Sequence, residues 1–457
     1  MVETPQPQIE EQEQEESRKR FGVTWKSCLL LTVMILGLLA TPLAILYRLY
    51  REQRENLPSV MADEGLSVNR IAYITRDRQL ATISPDGSDQ RQLTGQNRRF
   101  DFPAWAPDGS RLAVTSGDSL YILSDEDRGS DSLPPPIYQS REQRPFYLYW
   151  SPESDQVSFL TSHPEGMALY LANIDESGQS ARLLEIGQPF YWDWTPSGDQ
   201  ILIHTGFTGD QARLTLINPA GDGAGEELAE PGLFQAPGIS SSGRYRAFAE
   251  RSDNNGSELV IQNDQGVMQV TEPHDGQVAL TWSPTDDLLA YSSPTIDSIH
   301  SYGPLRLLDP STGESQTLTQ ANVLAFFWSP DGRKIAYLSL PLQPDGNIQA
   351  ISFSNTGQSE VVGIAQREEL RFELWLVDIQ TAEKRRLATF LPSGSFLSQF
   401  LPFFDQYALS HRLWSPNGDA IVLPMVEDGV SHLAIVQIES GEIDILTVGQ
   451  IGFWSHQ

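Results

Sequence analysis

Short apolar stretches alternate with turn residues along most of this chain, and beyond residue 67 the alternation repeats. The clearest unit opens on the apolar strand Ala325-Phe326-Phe327-Trp328, turns at Ser329-Pro330-Asp331-Gly332, and returns through Ile335-Ala336-Tyr337-Leu338. Proline presets φ for the second position of a type I turn, aspartate tolerates the third, and glycine takes the left-handed position that sends the chain back. A second hairpin follows, as in Leu305-Arg306-Leu307-Leu308, the turn 309–314, and Gln316-Thr317-Leu318. Two hairpins predict a four-stranded antiparallel sheet. The strand before each tryptophan is apolar on both sides of the alternation, which an open sheet with one wet face does not show. Such sheets bury both faces by stacking on one another. Helix-period segments of comparable length are absent after residue 67.

Seven of the ten tryptophans anchor these units: Trp105, Trp150, Trp194, Trp282, Trp328, Trp414 and Trp454. With Ile239 of the degenerate copy Ile239-Ser240-Ser241-Ser242-Gly243, the spacings are 45, 44, 45, 43, 46, 86 and 40 residues. Four-stranded units at a period in the forties are the signature of a β-propeller. The chain ends share this grammar. Ile451-Gly452-Phe453-Trp454 is a first strand with nothing after it, whereas Ile71-Ala72-Tyr73-Ile74, Leu80-Ala81-Thr82-Ile83 and Arg91-Gln92-Leu93-Thr94 are three strands with no tryptophan before them. The last strand is expected to complete the first blade. The predicted class is therefore all-β: a propeller over 68–457 with about eight four-stranded blades, the double interval being one blade with insertions. Seven blades result if the degenerate copy is a false match, and nine if the long interval hides another sheet.

The Trp-Ser-Pro-Asp-Gly hairpin followed by Ile-Ala-Tyr, and the second hairpin ending in Arg385-Arg386-Leu387 or Arg91-Gln92-Leu93-Thr94, resembles the WD-like (PD40) repeat of TolB-type propellers over roughly residues 69 to 457. The resemblance implies the fold; it says little about function, because one architecture hosts many unrelated activities. Related propellers also precede the hydrolase domain of dipeptidyl-peptidase-like enzymes. TolB-type proteins carry a small α/β domain ahead of the propeller and lie free in the periplasm. This chain has an apolar segment in that place.

That segment, residues 27–47, holds 21 residues without a charge, enough to cross a bilayer core as a helix. Arg18, Lys19, Arg20 and Lys26 precede it, and Arg48, Arg51 and Arg54 follow it. This balance gives almost no positive-inside bias, and long domains translocate largely regardless of charge. The expectation is a single-pass membrane protein with its N-terminus in the cytoplasm and its propeller outside, periplasmic or extracellular. A cleaved signal peptide is the competing reading, but the run is longer than a signal core and a large leucine falls inside each cleavage-like triplet. The predicted layout is a disordered acidic tail at 1–20, an anchor helix at 21–50 and a linker at 51–67.

Composition narrows the partners. A formal net charge of −29, from 60 Asp and Glu against 31 Lys and Arg, argues against nucleic acid, since phosphate contacts need Lys and Arg. Cys28 is the only cysteine, so the propeller has neither disulfides nor thiolate metal sites. The seven histidines show no metal-ligand spacing, the turn aspartates Asp108 and Asp331 lack the alternating acidic ligands of a calcium loop, and no nucleophile elbow, His-Glu-x-x-His or phosphate loop is present. No cofactor and no metal is expected.

Candidate function concentrates where the repeat is interrupted. Insertions run from about 341 to 368 and from 390 to 411, and the second crowds Phe390, Phe396, Phe400, Phe403, Phe404 and Tyr407 together with Pro392 and Pro402. Aromatic rings anchor interfaces. Phe396, Phe400, Phe403, Phe404 and Tyr407 are accordingly a candidate partner-binding or channel-covering loop, the alternative being that they complete the core. His411 and Arg412 lead into an innermost strand, and Asp193 stands just before Trp194, so these three are candidate polar residues of the channel. A buried Arg412 needs a carboxylate, for which Asp193 and Asp405 are candidates. The leading function is a non-catalytic scaffold binding a protein or a cell-envelope polymer, held to the membrane by its N-terminal helix. The alternative is a propeller enzyme acting on a glycan or peptide at the channel.

Overall fold

The computed structural model describes residues 69–95, 97–124, 133–175, 181–221, 225–252, 256–274, 276–294, 303–341, 352–353, 359–360 and 371–456. Within them the chain is all-β, built as a β-propeller from successive antiparallel sheets: five of four strands, one of seven, one of three and a separate two-stranded hairpin. The seven-stranded sheet arises because the strand Glu314–Trp328 is continuous. Its first part pairs with Gly303–Asp309 and its last part with Lys334–Ser339, so the outer strand of one unit runs unbroken into the inner strand of the next. In the double interval that next unit continues through Phe372–Asp378 and Lys384–Phe390. The first insertion lies largely outside the described residues.

The strand Ile451–Trp454 pairs antiparallel with Ile71–Ile74, with Trp454 opposite Ile71 and Ile451 opposite Ile74. All eight residues of the pair are buried. The local turns are made as their residue types require. Gly332 (φ 67°) donates its N–H to Ser329 O at 2.9 Å, and the Asp331 carboxylate accepts from Ser329 Oγ at 2.6 Å and from Arg333 N at 3.1 Å.

The tryptophans join neighbouring units. Trp105 Nε1 donates to Phe453 O (3.2 Å), Trp150 Nε1 to Ala104 O (2.9 Å), Trp328 Nε1 to Thr281 O (3.2 Å) and Trp414 Nε1 to Phe327 O (3.1 Å). Each acceptor is the residue immediately before the preceding tryptophan. In these four the indole is a flat apolar plate between two sheets whose one polar atom bonds a carbonyl of the neighbouring inner strand, whereas Trp194 and Trp454 Nε1 are buried with no hydrogen-bond partner among the described residues. Where Ile239 replaces the tryptophan, Trp282 packs on Gly238; a Cβ there would stand 2.8 Å from its Cδ1. Trp282 Nε1 has no hydrogen-bond partner among the described residues. Replacing Trp150 by Phe is therefore expected to cost about 0.5–1.5 kcal/mol more than replacing Trp282 by Phe, because only the former gives up an indole hydrogen bond. Urea midpoints measure this, and equal losses at the two positions would count against the indole bond as a stabilising link.

The expected spanning helix at 27–47 lies outside the described residues, as do the tail 1–20 and the linker 51–67. Among the described residues no helix is long and apolar enough to cross a membrane. The α-helix among them, α1 (Phe404–Ser410), has seven residues and spans about 10 Å against a hydrocarbon core of about 30 Å. The placement as a single-pass membrane protein, with cytoplasmic N-terminus and extracytoplasmic propeller, is corrected on this ground. No described element carries it.

Candidate functional site: the two ends of the central channel

The second insertion turns inward and fills the middle of the ring. It winds through a π-turn at Phe396–Phe400 and a 3-10 turn at Leu401–Phe403 into α1. Ser393 ties down its start, donating to Gln450 O at 2.9 Å and accepting from Phe396 N at 3.2 Å. Phe396, Phe400, Phe404 and Tyr407 are buried, while Phe403 keeps partial exposure. Their contacts are with inner strands all round the ring: Phe404 meets Phe326 edge-on at 5.3 Å between centroids, Phe400 lies 5.9 Å from Phe327 and 5.7 Å from Phe453, and Tyr407 meets Tyr147 edge-on at 4.9 Å. The area of these rings is committed to the channel wall.

Polar groups fix the register of α1. Gln406, buried, uses both ends of its amide on the backbone of one residue: Oε1 accepts from Trp192 N at 2.8 Å and Nε2 donates to Trp192 O at 2.9 Å. Tyr147 donates its hydroxyl to Gln406 O at 2.7 Å. Tyr147 reaches the axis because its strand, Pro145–Trp150, is bulged between Phe146 and Leu148 and Tyr147 takes φ 45°; Phe102, also three residues before its tryptophan, takes φ 57° at a similar break. Bulges re-aim side chains, and left-handed backbone at bulky residues costs on the order of 1–3 kcal/mol, so the packing against α1 holds them there.

The carboxylates serve the same structure. Asp193 accepts from Tyr149 Oη at 2.9 Å and from Ile239 N at 2.8 Å, and burial pushes its pKa up to about 7. Asp405 accepts from Gln406 N at 2.9 Å and Ala236 N at 3.3 Å, and burial pushes it up to about 6. Neither pairs with Arg412, contrary to the expectation that one of them would; burial alone lowers the Arg412 pKa, with no acidic neighbour opposing it. Ser410 Oγ lies 2.6 Å from His411 Nδ1. Burial pushes the His411 pKa down to about 3, opposed by the Pro103 carbonyl, and the Ser410 hydroxyl is shared with the Tyr147 hydroxyl at 2.8 Å.

Two cavities among the described residues flank α1. The smaller, about 240 Å³, lies at the starts of the inner strands between Tyr147, Phe190, Met167 and the plug residues Phe403 and Tyr407, and is almost wholly apolar. The larger, about 380 Å³, lies at the tryptophan ends of the strands. Its rim is the repeat itself, Trp105 with Pro107, Trp150 with Pro152, Trp282 with Pro284, and Trp328 with Pro330; its floor is the C-terminal end of α1 with His411, Arg412 and His456. His411 and Arg412 are thus brought together, and Asp193 reaches the cavity only through Tyr149, which lines it. Sequence reasoning missed the Trp-Pro rim and Gln406. The rim was present in the repeat, where each Trp-x-Pro serves the turn and faces the axis at once.

No family model matches the chain. It is 30% identical over 123 residues to the Tol-Pal system protein TolB of Anaeromyxobacter dehalogenans (strain 2CP-C), a match covering 25% of this chain and 27% of that protein. The chain therefore spans about a quarter of the length of the curated relatives it matches. Among solved structures, one described as the eukaryotic initiation factor superposes with a TM-score of 0.53 at 9% identity, covering 85% of this chain and 98% of the other. TolB from Acinetobacter baumannii gives a TM-score of 0.37 at 16% identity, over 79% and 80%. The first of these structural likenesses shows the fold alone.

Proposed function

We propose that the chain is a TolB-like β-propeller repeat protein acting as a non-catalytic scaffold, a ring we count as eight blades, that binds a protein or cell-envelope component at the Trp-Pro mouth of its channel. One observation carries the reading: proline rings from four repeats, half-buried Trp328 and the edges of buried Trp105, Trp150 and Trp282 converge around a concave, largely apolar cavity with a few polar groups at its floor. Binding sites have this composition, and tryptophan is enriched where interface energy concentrates. The plugged axis supports it, because α1 gives the mouth a fixed floor and little ordering remains to be done on binding. The relatives' name, Tol-Pal system protein TolB, supports a partner drawn from the envelope.

A photoreactive residue placed at Pro152 or Pro330 is expected to crosslink a partner in intact cells, whereas one at the exposed outer positions Val267 or Ile445 is not. With that partner purified, Pro152→Glu and Pro330→Glu should each weaken binding at least about tenfold, the worth of roughly 1.4 kcal/mol. Crosslinks confined to the outer positions, or none from the rim, would overturn the assignment.

A further inference from the structure

We propose that the floor of the Trp-Pro cavity recognises a carboxylate, gripped by the Arg412 guanidinium with the His456 imidazole beside it. This deepens, and rests on, the reading of the mouth as the binding surface. Arg412 is held by the closing strand: its carbonyl accepts from Trp454 N at 2.8 Å, and its Nη1 donates to His456 O at 3.2 Å. A guanidinium has five N–H donors, so one is matched. No ion pair joins Arg412 to a carboxylate among the described residues, and Arg412 lines the cavity.

The chain is not short of carboxylates, with 60 acidic against 31 basic residues. A half-buried cation left without one is therefore a feature of the place. Burying an ion costs several kcal/mol unless an opposite charge compensates. A planar carboxylate returns that cost through two parallel charge-assisted hydrogen bonds, which are strongest where water is scarce. His456 is held well below the ordinary histidine value by burial, then by Arg412 and His411, so it offers a neutral ring and adds no second charge. One positive charge at the floor matches a single carboxylate better than a phosphate dianion. The Trp and Pro walls fit the apolar or peptide body that carries it. A cavity of about 380 Å³ is of small-ligand size, sufficient for the end of a chain.

The tryptophans of the rim report occupancy through their fluorescence. The full chain would be titrated with acetyl-Ala-Leu-Ala bearing a free carboxylate, the same peptide as its C-terminal amide, acetate, and inorganic phosphate. The free acid is expected to bind at least about tenfold more tightly than the amide, with Arg412→Gln removing that preference and Arg412→Lys retaining part of it. Acetate binding as well as the peptide identifies a small acid as the natural source; a clear preference for the peptide identifies a chain end. Equal binding of acid and amide, tighter binding of phosphate, no binding of any probe, or an unaltered Arg412→Gln variant overturns the proposal. Should Arg412→Gln fail to fold, the acid-to-amide ratio on the native chain and on Arg412→Lys decides. If Pro152→Glu and Pro330→Glu release the crosslinked partner while no carboxylate probe binds, this inference fails and the scaffold reading stands; probe binding with a partner indifferent to the rim gives the reverse.

Discussion

A chain lacking residues 450–457 is expected to aggregate instead of forming a folded ring. The deleted strand buries Ile451, Phe453 and Trp454, each at most 5% exposed, and at about 1.5–3 kcal/mol per side chain their loss is worth roughly 5–9 kcal/mol. That is comparable to the whole net stability of about 5–15 kcal/mol typical of a folded domain. The deletion also strips the acceptor of the Trp105 indole, the backbone partner of Arg412, and one side of the strand Ile71–Ile74. An apolar strand edge left unpaired is a template for association with other chains. A milder test of the same contact is Gly452→Ala, whose new Cβ would stand 2.7 Å from Leu433 Cδ1 and 3.0 Å from Tyr73 Cβ. It should stay soluble and lose about 1–3 kcal/mol through overpacking. Size-exclusion chromatography and thermal melting read both variants. A truncated chain that elutes and melts like the full one would sink the claim that this strand closes the ring.

Local features of the fold were legible in the sequence, and features that join distant segments were not. Ser329 to Gly332 announces its turn because every interaction that makes it lies within five residues. The period of the tryptophans announced a stack of similar sheets for the same reason: each copy repeats one local solution. What the indole nitrogen does could not be read, because its acceptor is the residue before the previous tryptophan, more than forty positions away. The bulges at Phe102 and Tyr147 carry no local mark either. Both are bulky residues in left-handed backbone, a choice made by the packing of α1 against the channel and not by the residues themselves.

The candidate site divides along the same line. The crowding of rings between residues 390 and 411 was visible as composition, but composition is equally suited to an interface and to an interior. The empty centre of the ring decides where the rings go, and that centre exists only once the sheets close. Asp193 was picked for its place before Trp194, which does bring it to the inner strand; its oxygens are then occupied by Tyr149 and Ile239, from two other units. Gln406 passed unnoticed as one polar residue in an aromatic run. Its value lies in the backbone of Trp192, over 200 positions earlier.

Between about pH 4 and 7 the buried carboxyls Asp193 and Asp405 are expected to take stability from the folded ring as the pH rises, the reverse of what lowered carboxylate pKa values produce, while the buried histidines His204, His411 and His456, whose pKa values burial pushes down, act in the opposite sense. Asp193 is pushed up to about 7 and Asp405 to about 6, both by burial, from an ordinary value of 3.8. Between that value and the folded one, the unfolded chain has released the proton and the folded chain keeps it. At these two groups the folded state then binds more protons, so their contribution falls with pH, on the order of 1.4 kcal/mol per pH unit for each. The fall should end near pH 6 for Asp405 and near pH 7 for Asp193. Below about pH 4 the sign reverses, since hydrogen bonds from Ser88, Ser119 and Ser197 hold Asp86, Asp118 and Asp199 below the ordinary value, and stability from these groups is lost as they protonate. Asp193→Asn isolates the larger contribution: its amide oxygen can accept from Ile239 N while its NH₂ faces the Tyr149 hydroxyl, with no charge to bury. The variant should match the parent near pH 4 and exceed it at pH 8 in urea midpoint, the difference between the two opening between pH 4 and 7. Parallel profiles for variant and parent would mean that Asp193 does not keep its proton in the folded ring.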